Sequence, residues 1–176
     1  YNFRATSPDQ FPLFSARVGS FNEFRASKTM LDTLVSLNDP RLTIFFRATP
    51  KTEGTVNPAY IGIPNGLDDV TALTYAGGAE NQSRISATYF ENATTAEGLK
   101  IAKGVIMTYA ELQFLLAEAT EKGLISGSSE TYYLNGIKSS FEFYGLTPSN
   151  EYLNQTLVSF TNNSTSKLDK IGFQKW

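Results

Sequence analysis

The chain contains neither cysteine nor histidine among its 176 residues. No disulfide and no Cys/His zinc site can staple it, so its fold must be held by burial and hydrogen bonding alone. The material for a core is present: hydrophobic residues make up 41% of the chain, with 13 Phe and 9 Tyr beside one Trp and two Met. The same absences remove whole classes of chemistry. A Ser-His-Asp triad and a Cys-His dyad cannot be built, and the commonest general base is missing. A formal charge of −2 leaves no basic stripe to follow phosphates, which argues against a nucleic-acid role. No apolar run reaches the length that crosses a bilayer. The length suits one domain or part of a larger one.

Apolar spacing predicts a helix over 27–37, where Met30, Leu31, Leu34 and Leu37 recur at helical intervals and Ser27 can cap the start. Asn38-Asp39-Pro40 should stop it, because proline lacks an amide donor and restricts the residue before it. Leu42 to Phe46 then reads as a short strand. Residues 47–104 are rich in Gly, Asn, Thr, Ser, Asp and Pro and read as irregular. Their extended pieces are Tyr60-Ile61-Gly62-Ile63, followed by a Pro64-Asn65-Gly66 turn, and Ile85 to Phe90. So long an irregular stretch is often functional.

Helical character returns at Thr108, where Thr108-x-x-Glu111 fits a capping box and two apolar faces, Leu112/Leu116/Ala119 and Ala110/Phe114/Ala117, place the helix between others. After a Gly123–Ser128 connector, Ser129 to Tyr144 forms the next helix, with Tyr133, Ile137, Phe141 and Tyr144 on one stripe. Gly136 in its middle costs about 1 kcal/mol of propensity, which close approach of a neighbouring helix would offset. Gly145 is placed for a left-handed cap. Ser149 should cap a helix running through Phe160, Thr161 to Ser166 is a polar loop, and Lys167 to Trp176 begins another helix. That last helix has no stop signal and Tyr1 starts abruptly, so the chain reads as a fragment of a longer protein. The expected fold is mainly α, an αα-hairpin scaffold with long irregular loops and a few short strands. No repeat of fixed period occurs within it.

Several segments, taken in order, resemble the SusD/RagB family. They are Ser27-Lys28-Thr29-Met30-Leu31-Asp32 through Leu37-Asn38-Asp39-Pro40-Arg41-Leu42, and Met107-Thr108-Tyr109-Ala110-Glu111-Leu112 through Leu116-Ala117-Glu118-Ala119. Tyr133-Leu134-Asn135-Gly136-Ile137-Lys138-Ser139-Ser140-Phe141 with Tyr144-Gly145 is a third. Tyr60-Ile61-Gly62-Ile63-Pro64-Asn65-Gly66 and the closing Ile171-Gly172-Phe173-Gln174-Lys175-Trp176 also fit. The resemblance implies a tetratricopeptide-like helical scaffold (an alpha-alpha superhelix) whose long loops shape a ligand site. It further implies a lipid-anchored protein facing outward at the bacterial outer membrane. Such a protein caps a TonB-dependent transporter and delivers glycans, or in some branches peptides. The lipid-bearing cysteine and the N-terminal helices of the family are not in this chain, which would hold a partial SusD-like domain over 1–176.

Sugar binding needs flat apolar faces for the C–H side of a pyranose, with amides and carboxylates for its hydroxyls. The irregular region supplies Tyr60, Tyr75, Tyr89 and Phe90 with Asn65, Asn81, Gln82 and Asp68. The preferred platform is Tyr60 and Tyr75 framed by Asn65 and Asn81. The resemblance assigns a ligand role to none of these positions, and the alternative is that the aromatics pin loops to the core. Asp68-Asp69 with Glu80 or Glu91 would pose as a glycosidase pair only at a carboxyl separation of about 5–5.5 or 6.5–9.5 Å, and solvated surface is the simpler reading. The same oxygens leave calcium open without assigned ligands; no other cofactor is implied. Asn81, Asn92, Asn154, Asn162 and Asn163 start Asn-x-Ser/Thr sequons, expected by chance in such a composition. The expectation is therefore non-catalytic glycan binding for a TonB-dependent transporter, the alternative being a helical protein- or peptide-binding scaffold.

Overall fold

Gly62 is where the polar part of the chain is closest packed. A Cβ there would lie 2.6 Å from the Cα and 2.7 Å from the amide nitrogen of Lys28. Only glycine lets one backbone approach another this closely. The computed structural model describes residues 24–86 and 104–175, and the chain divides into two compact units, Tyr1–Gly104 and Val105–Trp176.

In the first unit, helix α1 (Lys28–Ser36) buries Leu31 and Leu34. Ser27 occupies the cap position but makes no side-chain cap bond, and among the described residues its buried hydroxyl has no partner. The Lys28 amide instead donates to the Ile63 carbonyl at 2.8 Å. The stop comes before Pro40. Asn38 takes a left-handed φ of 47°, Asn38 N–H donates to Val35 O and Asp39 N–H to Leu34 O, a Schellman end with asparagine in glycine's usual place. Leu42–Phe45 is a single helical turn, α2, and not part of the short strand expected over Leu42 to Phe46. Asp39 decides this. Its Oδ1 accepts the Arg41 amide at 2.9 Å, its Oδ2 meets Arg41 Nη2 at 2.5 Å, and Pro40 suits the entry to a helix. Only Phe46 is extended, in an antiparallel bridge to Ile85.

The stretch read as irregular contains α3 (Asp69–Thr74) and two 3-10 turns, Tyr75–Gly77 and Ala79–Asn81. Asp68 caps α3, its Oδ1 accepting the Thr71 amide at 3.0 Å and its Oδ2 the Thr71 hydroxyl at 2.7 Å. Those bonds hold the Asp68 carboxyl below the usual carboxylate range, the Thr71 hydroxyl contributing most. Gly66 (φ 84°) makes the expected turn after Pro64. Among the described residues no sheet forms. Single-residue bridges join Arg25 to Arg84, Ser27 to Ile63 and Phe46 to Ile85. Of the predicted extended segment 85–90, residues 87–90 lie outside the described residues, as do Glu91 and Asn92.

The second unit is built on an αα-hairpin, α4 (Tyr109–Glu121) against α5 (Ser129–Phe143), with α7 (Lys167–Lys175) also packed on α4. Thr108 Oγ1 accepts the Glu111 amide at 3.0 Å, the hydroxyl half of the capping box. Ala110, Phe114 and Ala117 are buried, whereas Leu112 is exposed and Leu116 and Ala119 are half-buried, so one predicted face is packed and the other partly open. Tyr133, Ile137 and Phe141 are fully buried. A Cβ on Gly136 would lie 2.6 Å from the Phe114 ring, the close approach its position implied. Gly123 and Gly145 end α4 and α5 in left-handed Schellman turns.

The helix expected from Ser149 through Phe160 ends early, as α6 (Asn150–Leu153). Ser149 does cap it, accepting the Tyr152 amide at 3.1 Å. Burial stops it: Val158 and Phe160 both bury, a spacing of two that no helix face offers, and the Val158 carbonyl accepts the buried Tyr133 hydroxyl at 2.7 Å. Burial, with a smaller contribution from Tyr152, pushes the Tyr133 hydroxyl pKa well up. Phe160 stacks on Tyr133 at 4.7 Å between centroids, and Phe141 on Tyr152 at 4.9 Å. The polar loop 161–166 is tied down by buried Lys170, whose ammonium donates to the Ser159 carbonyl at 2.6 Å and to that of Asn162.

Candidate ligand-binding region

The four platform residues all lie in the first unit. Tyr60 is half-buried, and burial first, then the Glu53 charge, raises its hydroxyl pKa, so it remains a neutral donor at physiological pH. Tyr75 is half-buried at the junction of α3 with the first 3-10 turn. Asn65 is exposed at the Pro64–Gly66 turn. Asn81 is half-buried, its Nδ2 directed to the Gly77 carbonyl at 3.4 Å. Among the described residues no hydrogen bond or ring contact joins these four side chains to one another. Tyr89 and Phe90 lie outside the described residues.

Two residues counted as sugar-facing polar groups are committed elsewhere. Asp68 caps α3. Gln82 is 1% exposed, and its Nε2 donates to the Ala72 and Tyr75 carbonyls at 2.8 and 2.9 Å while its Oε1 accepts Arg25 Nε at 3.1 Å. A buried amide with its donors and acceptor engaged has nothing left for a ligand. Ser83, also buried, accepts the Ile61 amide on its hydroxyl at 3.0 Å and exchanges backbone bonds with Ile61 and Ala26. Among the described residues no group of three or more Asp or Glu side chains sits close enough to hold a metal. None of the described helices is long and apolar enough to cross a membrane.

The second unit carries aromatic surface that the sequence reading assigned to helix packing or passed over. Tyr109 is 61% exposed and Phe143 52%. With Tyr144, Thr108, Ser139, Ser140 and Glu142 they line a groove of about 450 Å³. A second groove lies beside Glu118, Lys122, Leu168, Gly172 and Lys175. There Glu118 bridges Lys122 at 2.5 Å and Lys175 at 2.8 Å, and those two ammonium groups pull its pKa down to about 2.

Sequence and structural comparisons place this helical chain in a family of binding proteins. The family model SusD-like_2, described as starch-binding associating with outer membrane, matches residues 1–176. The chain belongs to this SusD-like family, whose members are binding proteins. A SusD homolog from Bacteroides fragilis is 28% identical, with a TM-score of 0.71 over 99% of this chain and 40% of its own. A Bacteroides vulgatus outer membrane protein, linked by its description to nutrient binding, is 26% identical, with a TM-score of 0.71 over 99% of this chain and 40% of its own. A chitin-binding protein is 25% identical, with a TM-score of 0.60 over 85% of this chain and 33% of its own. The chain thus spans 40% of the first two structures' length and 33% of the third. No curated protein matches it. The mainly α, tetratricopeptide-like fold is that of SusD homologues.

Proposed function

We propose that the chain is part of a non-catalytic, lipid-anchored surface protein that captures oligosaccharides and hands them to a TonB-dependent outer-membrane transporter. The observation that carries this reading is the match of residues 1–176 to a family described as starch-binding and outer-membrane-associated. The platform would be Tyr60 and Tyr75, whose ring faces suit the apolar side of a pyranose, with the Asn65 and Asn81 amides for hydroxyls. Each contact is weak, and several along a glycan chain add. Pure binding predicts that the glycan leaves chemically unchanged.

Isothermal titration of the full-length protein with malto-, chito- and xylo-oligosaccharides tests the reading, with Tyr60→Ala and Tyr75→Ala beside the wild type. Binding that weakens about tenfold or more in either variant supports capture by the loop region. Recovery of shortened oligosaccharide after long incubation would sink the non-catalytic reading. The groove beside Tyr109, Phe143 and Tyr144 favours a second reading, a peptide- or protein-binding scaffold. Its sign would be no sugar binding, together with peptide binding lost in Phe143→Ala.

A further inference from the structure

The segments bearing Tyr60 and Tyr75 are tied to two adjacent residues, one to each. Gln82 grips the Tyr75 segment through two side-chain donations, to Ala72 O and Tyr75 O. Ser83 grips the Tyr60 segment through two bonds to Ile61, its hydroxyl accepting the Ile61 amide at 3.0 Å and its own amide donating to the Ile61 carbonyl at 2.8 Å, while its carbonyl accepts the Ala26 N–H at 3.0 Å. Both anchors are at most 1% exposed. The backbone of Gln82 is extended (φ −114°, ψ 127°), and neighbouring side chains of an extended chain point in opposite directions. One dipeptide can therefore hold two segments without either hold interfering with the other.

The Tyr75 segment needs such a hold. Ala76, Gly77 and Gly78 follow with φ of 55°, 87° and 100°. A left-handed alanine is an unfavourable conformation that persists only where its surroundings fix it. The Gln82 amide on the Tyr75 carbonyl is the contact from outside the turn that does so, and Arg25 holds the other end of that amide. Asn81, the neighbour of Gln82, reaches back to Gly77 from the same element.

We infer that Gln82 and Ser83 are positioning residues that separately index the Tyr75 and Tyr60 segments of the ligand platform. This rests on the glycan-platform reading only for its consequence in binding; the indexing itself is tested without ligand. In the full-length protein, 3-fluorotyrosine is placed at position 60 or 75 and its fluorine resonance is recorded in wild type, Gln82→Met and Ser83→Ala. The expected pattern is crossed. Gln82→Met splits or broadens the resonance at 75 and raises amide exchange of residues 75–81 at least tenfold, leaving position 60 unchanged. Ser83→Ala does the reverse. A merely structural role would move both resonances together in each variant, and that outcome, or no change in either, overturns the inference. Should Gln82→Met not fold, Ser83→Ala alone decides: a changed resonance at 60 with 75 unchanged supports the indexing, and a change at both positions or at neither overturns it. Titration of the same proteins with chitohexaose and maltoheptaose then separates the two claims. A crossed fluorine pattern with no wild-type binding of either sugar supports the indexing and counts against the glycan reading. A crossed pattern with binding weakened about tenfold supports both.

Discussion

The two units bury comparable chemistry by opposite means. In the second, helices meet through rings: Phe114 packs against the Gly136 backbone, and Tyr133, Phe141, Tyr152 and Phe160 pair face to edge or tilted. In the first, backbone meets backbone at Gly62, and buried polar side chains, Asp39, Thr49, Gln82 and Ser83, hold turns by hydrogen bonds. Each unit even carries a buried glutamine, but Gln82 is fully engaged whereas Gln113 Oε1 has no partner among the described residues. The lesson is that an apolar core tolerates local imperfection, because its contacts are many and non-directional. A polar core depends on a few directed bonds, each costly to leave unmade.

The sharpest break of the helical unit is Phe141→Ala, which removes a fully buried ring. It should cost about 3–5 kcal/mol, read by denaturant unfolding. Next come the two glycines. Gly62→Ala presses a methyl group into Lys28 backbone and should cost about 2–3 kcal/mol, with no side-chain change able to relieve it. Gly136→Ala presses on a ring instead. Helix propensity offsets part of the strain, leaving a net loss of about 1 kcal/mol. Combined with Phe114→Leu it should cost less than the sum of the two single changes, measured by a double-mutant cycle. If Gly62→Ala proved the milder change, the contrast between backbone and side-chain packing would fail.

Gln113→Met should be stabilising by about 1 kcal/mol, since it removes a buried Oε1 that has no partner among the described residues and keeps a similar volume. A loss of stability would mean that Gln113 has a partner beyond the described residues. The smallest effect concerns Glu118. Its pKa falls from an ordinary 4.5 to about 2 in the fold, so its ion pairs contribute fully above about pH 4.5 and are lost as pH falls toward 2. The carboxylate is partly exposed, so salt screens the effect. Thermal unfolding between these pH values should show a slope that Glu118→Gln flattens and added salt diminishes.

Periodicity and capping by themselves determined the long helices of this chain. Thr108, Ser149, Gly123 and Gly145 mark ends that the backbone obeys, and even the close approach at Gly136 follows from an isolated glycine in an apolar helix. These signals are local, acting within four or five residues, where the hydrogen-bond partner is already in the sequence window. Tertiary structure alone decided the rest. The chain after Leu153 left the helix to bury Val158 and Phe160, the latter against Tyr133. Gln82 reads as one more polar loop residue until Ala72, Tyr75 and Arg25 converge on it. A directed bond to a partner many residues away leaves no periodic trace along the chain, which is why the helices could be read in advance and the scaffold of the ligand platform could not.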